Sequence, residues 1–242
     1  MKNKKPQLEI KKEQFLVSIT TIGDSPKSSW QDKIQEAGAL GINKVAVFLT
    51  CLNLAQRKEF YRLLEESSII KVPLVHIRSD MSLDELIYLR NKFKTQVFNT
   101  HTIRQHPPIH DLSSYREALF IENTWPWDEQ EIKQFAGVCL DFSHLQDAKL
   151  LRPQDYENNL KILEKYPIGC NHISAIKKEI TYFEDKNGKR PFYSSHVFTD
   201  LSQFDYLKQY PQEFFSQFCA MELENSLAEQ LKAIDYIVKL LT

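Results

Sequence analysis

No run of apolar residues in this chain approaches the roughly 20 that a membrane span requires, so the sequence predicts no membrane segment. An export signal is also missing. The basic opening Met1-Lys2-Asn3-Lys4-Lys5-Pro6 gives way to polar residues rather than to an apolar stretch, and a cytoplasmic location is the expectation. Cysteine is scarce, with Cys51, Cys139, Cys170 and Cys219 in or beside predicted strands and no Cys-x-x-Cys spacing. That excludes a disulfide frame or zinc knuckle and predicts small buried thiols in a reducing compartment. Neither sign of charge is in excess. A formal net charge of -1 gives no broad electrostatic footprint for a polyanion and disfavours nucleic acid as a partner. Low-complexity tracts, internal repeats and linkers are lacking too, which predicts one domain over 1–242 with a polar leader at 1–13.

What the chain does have is the composition of an ordinary globular protein, 42% hydrophobic and 26% charged over 242 residues, enough to bury a large core. Strand and helix patterns alternate along it. Apolar runs at 14–22, 44–50, 72–77, 96–101, 118–123, 137–141, 168–173 and 218–224 predict eight strands. The turn Gly23-Asp24-Ser25-Pro26 follows the first, and Ser28 or Ser29 caps a helix that runs through Ala39 and stops at Gly41. Helical spacing returns at 54–66, after Ser82, at 128–135, from Pro153 to Tyr166, around 204–210 and at 226–241. The fourth strand is followed by a loop with space for only a short helical turn. After the seventh strand the rhythm breaks at two extended stretches flanking Asn187-Gly188, a hairpin signal that brings His196 back over the mouth of the fold. This alternation predicts an α/β fold, a single (β/α)8 barrel with a β-hairpin excursion after the seventh strand.

Chemistry collects at the ends of these strands. Apolar runs stop at His76, His101, Glu122, Asp141, His172 and Glu224, and a parallel barrel converges its C-terminal strand ends on one face. Glu122, Asp141, His172 and Glu224 would bring together three carboxylates and an imidazole, a mixture that suits Mn²⁺, Mg²⁺, Zn²⁺ or Co²⁺ without choosing between them. Asp141 also reads as the N-cap of the next helix. Glu222 and Glu224 share one side of a strand, and Glu224 is favoured as nearer its C-terminal end. Trp125 and Trp127 directly follow Glu122, where an indole either packs on a sugar or covers the rim. Arg78 and Arg104 follow the histidines of the third and fourth strands, as phosphate receivers or as solvated loop charges.

Four short stretches, Phe120-Ile121-Glu122-Asn123-Thr124, Leu140-Asp141-Phe142-Ser143-His144, Asn171-His172-Ile173-Ser174 and Glu222-Leu223-Glu224-Asn225, resemble the metal-binding strand ends of the xylose isomerase-like TIM barrel superfamily. That superfamily holds sugar isomerases and epimerases as well as endonuclease IV. In its epimerase branch the resemblance implies one divalent ion held by Glu122, Asp141, His172 and Glu224. Glu122 and Glu224 would move a proton beside a carbonyl, and His144 would bind the oxygen of a small sugar or polyol. In its endonuclease IV branch it implies further zinc ions, one at His76 and His101 and a third at His144 and His196, whose carboxylate ligand would fall near Ser194. Serine there departs from the pattern. The sequence favours the isomerase or epimerase, with the multi-zinc phosphoesterase as the alternative and a non-catalytic metal- or ligand-binding barrel as a third reading.

Overall fold

The structure, a computed structural model, describes residues 9–21, 29–185 and 188–242. Gly23-Asp24-Ser25-Pro26 and the first half of Asn187-Gly188 therefore lie outside the described residues. The first barrel stave is split at Val17 into β1 (Phe15–Leu16) and β2 (Ser18–Thr20). Then follow β3 (Ala46–Phe48), β4 (Leu74–His76), β5 (Val97–Thr100), β6 (Leu119–Glu122), β7 (Gly137–Asp141) and β8 (Ile168–Ile173). A hairpin of β9 (Ala175–Asp185) and β10 (Gly188–Ser195) precedes the last stave, β11 (Cys219–Met221). Every barrel pairing is parallel, and because β1 pairs with β11 while β2 pairs with β3, the sheet closes on itself. This is an eight-stave α/β barrel carrying an antiparallel hairpin after the seventh stave, as the alternation predicts.

The helices begin where the sequence places capping residues. Ser29, Asn53, Ser82 and Ser226 each form a reciprocal box with the side chain three residues on, starting α1 (Trp30–Ala39), α2 (Leu54–Glu65), α3 (Leu83–Phe93) and a long C-terminal helix. In between lie α4 (Glu129–Ile132), α5 (Phe142–Leu151) and α6 (Pro153–Lys165), and the C-terminal helix is α7 (Leu227–Leu241). Pro153 lacks the N–H that would continue α5 and is tolerated at the first turn of α6. Short 3₁₀ segments at Ser113–Ala118 and Leu201–Gln209 replace helices before β6 and β11. No helix among the described residues is long and apolar enough to cross a membrane.

Two separate apolar clusters follow from the pleat. One lies between staves and helices, and the other, smaller, fills the barrel with Leu16, Phe48, Leu74, Val97, Cys139, Cys170 and Ala220, packed with Phe120 and Phe218. Side chains alternate across a strand, so the residue two positions past an inward apolar one also faces inward, nearer the C-terminal mouth. This gives the pairs Leu74 and His76, Val97 and Asn99, Phe120 and Glu122, Cys139 and Asp141, Cys170 and His172, Ala220 and Glu222. An apolar floor thus carries a polar layer. Of the cysteines, Cys139, Cys170 and Cys219 are buried and free as expected, whereas Cys51, in the turn after β3, is exposed and corrects that expectation.

The floor is close-packed at Gly169, where a Cβ would run into the Phe120 ring. Gly169→Ala is expected to lower unfolding stability by about 1–3 kcal/mol, the usual cost of overpacking a core. Urea denaturation checks this, and an unchanged midpoint would show that Phe120 has space to move.

Candidate metal centre

Glu122, Asp141, His172 and Glu222 each offer a ligand atom, and these atoms all lie within 4.8 Å of one another. His172 Nδ1 is 3.5 Å from Glu122 Oε2 and 3.3 Å from Glu222 Oε2. The two readings of Asp141 prove compatible, because its two oxygens divide the work. Oδ1 caps α5, accepting from Ser143 N, Ser143 Oγ and His144 N, and this fixes the carboxylate while Oδ2 has no hydrogen-bond partner. His172 Nδ1, His172 Nε2 and Glu222 Oε2 are likewise buried and without a hydrogen bond. Each buried polar atom left unpaired costs about 1–3 kcal/mol. Such atoms gathered on one small volume, from two carboxylates and an imidazole, fit a divalent cation.

A second group, His76, His101 and Glu122, adjoins the first and shares Glu122 with it. Ile77 O lies 3.1 Å from His76 Nδ1 and can only accept, so Nδ1 carries the proton. The Nδ1–H to Ile77 O bond is an outer-shell contact of the kind that orients a histidine ligand, and it leaves Nε2 facing Glu122 Oε2 at 2.8 Å. His101 Nε2 is 3.9 Å from the same oxygen. Burial, with help from His76, pushes His101 down to about 4, so its ring is neutral at pH 7. Phe48 lies under both His76 and His172, with ring centroids 5.7 and 4.8 Å away.

His144 and His196 stand at the rim. His144 Nε2 is 3.7 Å from Asp141 Oδ2 and 3.8 Å from Glu122 Oε1, and His196 Nε2 is 3.8 Å from Glu222 Oε1. Ser194 brings no carboxylate to them, and its backbone N–H instead donates to Asp147 Oδ1. Beside the rim opens a cavity of about 1050 Å³, which His144, His196, Glu224 and Trp125 help to line.

The structure differs from the sequence expectation at several residues. The eighth-stave carboxylate in the ligand group is Glu222 and not Glu224. The stave ends at Met221, Leu223 N–H turns back to Met221 O, and Glu224 N–H bonds to His196 O, so the alternation stops before Glu224. Glu224 faces the cavity and lies near Lys33, a fully buried lysine whose Nζ donates to Thr20 Oγ1 and Leu223 O. Trp127 is buried, its Nε1–H donating to Ile121 O, and is not part of the cavity wall. Arg78 is turned to Thr50 O and Asp80, and Arg104 is exposed away from the cavity. His106, outside the predicted strand ends, sits with its ring centroid 5.0 Å from that of His101. A helical turn places it there, with Gln105 N and His106 N both bonding to Thr102 O. No strand-end pattern marks such a residue.

The protein's own charges set the protons that a cation must displace. Burial raises Glu122 and Glu222, but His172 and His76 hold the first well below the carboxylate range, and His196 and His172 hold the second at about 2. His172 lies well above the usual imidazole range, since Glu122 and Glu222 outweigh the burial that opposes its charge. Asp141 is raised, chiefly by burial. A cation therefore competes with the proton on His172, and its affinity should climb with pH as that proton leaves. Calorimetric zinc titrations near pH 7 in two buffers of different ionisation enthalpy are expected to differ in heat because protons are released. Equal heats would contradict this. For stability the signs are opposite. Glu222 stabilises the fold above its ordinary 4.5, and this is lost as the pH falls towards about 2. The His172 contribution is present at low pH and is lost as the pH rises through its raised value.

No family model and no curated protein matches the chain. Among solved structures, it is similar to a xylose isomerase-like TIM barrel protein from Mycobacterium smegmatis in complex with magnesium. The two are 15% identical, with 96% of this chain and 98% of that one covered and a TM-score of 0.47. It is also similar to SacUVDE, at 13% identity, with 87% and 84% covered and a TM-score of 0.38. Likeness at this level carries no argument about chemistry, which rests on the side chains themselves.

Proposed function

We propose that this barrel is a metal-dependent phosphoester hydrolase that works with two divalent cations sharing Glu122. The observation that carries the reading is the second ligand group, His76 and His101 converging on the same carboxylate that serves Asp141, His172 and Glu222. Charge supports it. Three carboxylates against two dications leave one net positive charge, which attracts an anionic phosphoryl group, whereas against one dication they leave a net negative charge. The donor set of imidazole and carboxylate fits Zn²⁺, Mn²⁺ or Co²⁺ better than Mg²⁺, which prefers oxygen ligands and ordered water.

Cations held there supply Lewis acidity, acidifying water and offsetting charge on phosphoryl oxygens. The chain's own residues do the rest. Asp141 and His76, each fixed by a second bond to the backbone, need little reordering when ligands bind. Asp141 and Glu122 raise His144 against the burial that opposes its charge. From the rim His144 would give a proton to the departing oxygen, with His196 hydrogen-bonding a phosphoryl oxygen.

One observation keeps the isomerase or epimerase in play. Glu122, Asp141, His172 and Glu222 make a complete set for a single ion, and Glu224 lines the cavity as a carboxylate outside that set. The two readings separate in one experiment on protein loaded with Zn²⁺ or Mn²⁺. Hydrolysis of bis(p-nitrophenyl) phosphate is expected, with no deuterium exchange from solvent into a ketose or aldose. Exchange without hydrolysis would replace the proposal with the isomerase.

A further inference from the structure

The cavity beside the metal centre is much larger than a phosphoryl group needs. Its volume of about 1050 Å³ lies at the upper end of small-molecule sites, roughly 300–1000 Å³. One end opens on His144 and His196, and the walls come from α5, α6, the hairpin and the loop after β6. Over it, the Arg190 guanidinium of β10 lies 3.5 Å from the ring centroid of Trp125 in that loop. This cation–π contact ties the hairpin to the loop across the cavity.

Most charge in the chamber wall is already matched. Asp147 accepts from the hairpin amides of Tyr193 and Ser194, and Asp155 pairs with Arg152, while Glu224 lies near buried Lys33 without a hydrogen bond or ion pair to it among the described residues. Among the cations, Lys177 is different. It lines the same chamber, half-buried, and has no hydrogen bond or ion pair among the described residues. It lies where β9 bulges, since Ile176 pairs with Ser194 but Thr181 with Phe192, and bulges re-aim side chains. An unmatched ammonium facing a ligand chamber calls for an anion from the ligand.

We propose that the chamber holds the body of a sugar-sized phosphoester and that Lys177 meets a second anionic group on it, a phosphate or a carboxylate. The inference deepens the phosphoester reading and rests on it. The substrate is thus a small molecule with two anionic groups.

Binding of probes to the metal-loaded protein, read from tryptophan emission on rapid mixing, tests this. Fructose 1,6-bisphosphate carries two phosphates, 6-phosphogluconate a phosphate and a carboxylate, and fructose 6-phosphate one phosphate. At least one two-anion probe should bind about tenfold or more tighter than fructose 6-phosphate, the return expected from one charge-assisted contact. The tighter of the two identifies the second anion. The ratio should collapse towards one in Lys177→Gln and persist in Lys178→Gln, whose position is exposed. If Lys177→Gln does not fold, the ratio in Lys177→Met decides the same point, with Lys177→Arg, which keeps the charge, as the control that retains it. A wild-type ratio near one, a ratio that survives Lys177→Gln, or tighter binding of a 20-base-pair duplex would overturn the inference. Selective binding without any phosphoester hydrolysis would instead overturn the proposed function and leave the chamber assignment standing.

Discussion

Glu222→Ala is expected to weaken divalent-metal binding by more than about 100-fold, since losing even an outer-shell partner of a ligand costs about 10- to 100-fold. Glu224→Ala should leave metal affinity unchanged. The contrast is sharp because the two residues are so close in sequence. Glu222 follows β11 directly, and its Oε2 is buried, makes no hydrogen bond and lies 3.3 Å from His172 Nδ1. Glu224 has been carried past the turn at Leu223 and is held by its backbone to His196 O. Asp141→Ala should be at least as costly as Glu222→Ala and should also remove the cap of α5, so it loses stability as well as metal. Metal content after dialysis against a graded chelator gives the answer, and equal losses in the two glutamate variants would place the eighth-stave ligand elsewhere.

Replacing both His76 and His101 by alanine is expected to abolish phosphoester hydrolysis, by at least about 10³-fold. A cation at the reacting group is worth several kcal/mol, and each 1.4 kcal/mol is a factor of ten. The same variant should still hold one cation, because the group of Glu122, Asp141, His172 and Glu222 includes neither histidine. Burial of His76 beneath His101 makes some loss of packing unavoidable, so His76→Gln with His101→Gln serves as a control for folding. Hydrolysis that survives both double variants would mean that one ion suffices.

Most of the fold was legible because its signals are local. Ser29, Asn53, Ser82 and Ser226 start helices with side chains three residues away, and Phe120-Ile121-Glu122 sets an inward floor residue and an inward ligand by the pleat alone. Resemblance to the xylose isomerase-like barrels pointed to the same fold. What escaped was set at long range. The apolar run to Glu224 has strand character throughout, and it is cut at Met221 by a turn whose Leu223 carbonyl is claimed by Lys33, 190 positions away. Trp127 looks like Trp125 in sequence, yet its indole N–H is taken by Ile121 O, which turns it inward. The helix expected at 128–135 shrinks to α4, because Gln134 N and Phe135 N bond three residues back and tighten the turn. Around 204–210 the chain likewise takes 3₁₀ geometry within Leu201–Gln209. Arg190 and Lys177 enter the chamber through the hairpin, which the sequence signals, and through its bulge, which no spacing in the sequence encodes.

The measurement that tests the central claim most directly is the number of zinc ions per chain, counted by native mass spectrometry of the protein after zinc loading and removal of excess metal. Two ions per chain are predicted in the wild type and one in the His76→Ala, His101→Ala variant. One ion per chain in both would contradict a shared Glu122 and leave the second histidine group without a metal role.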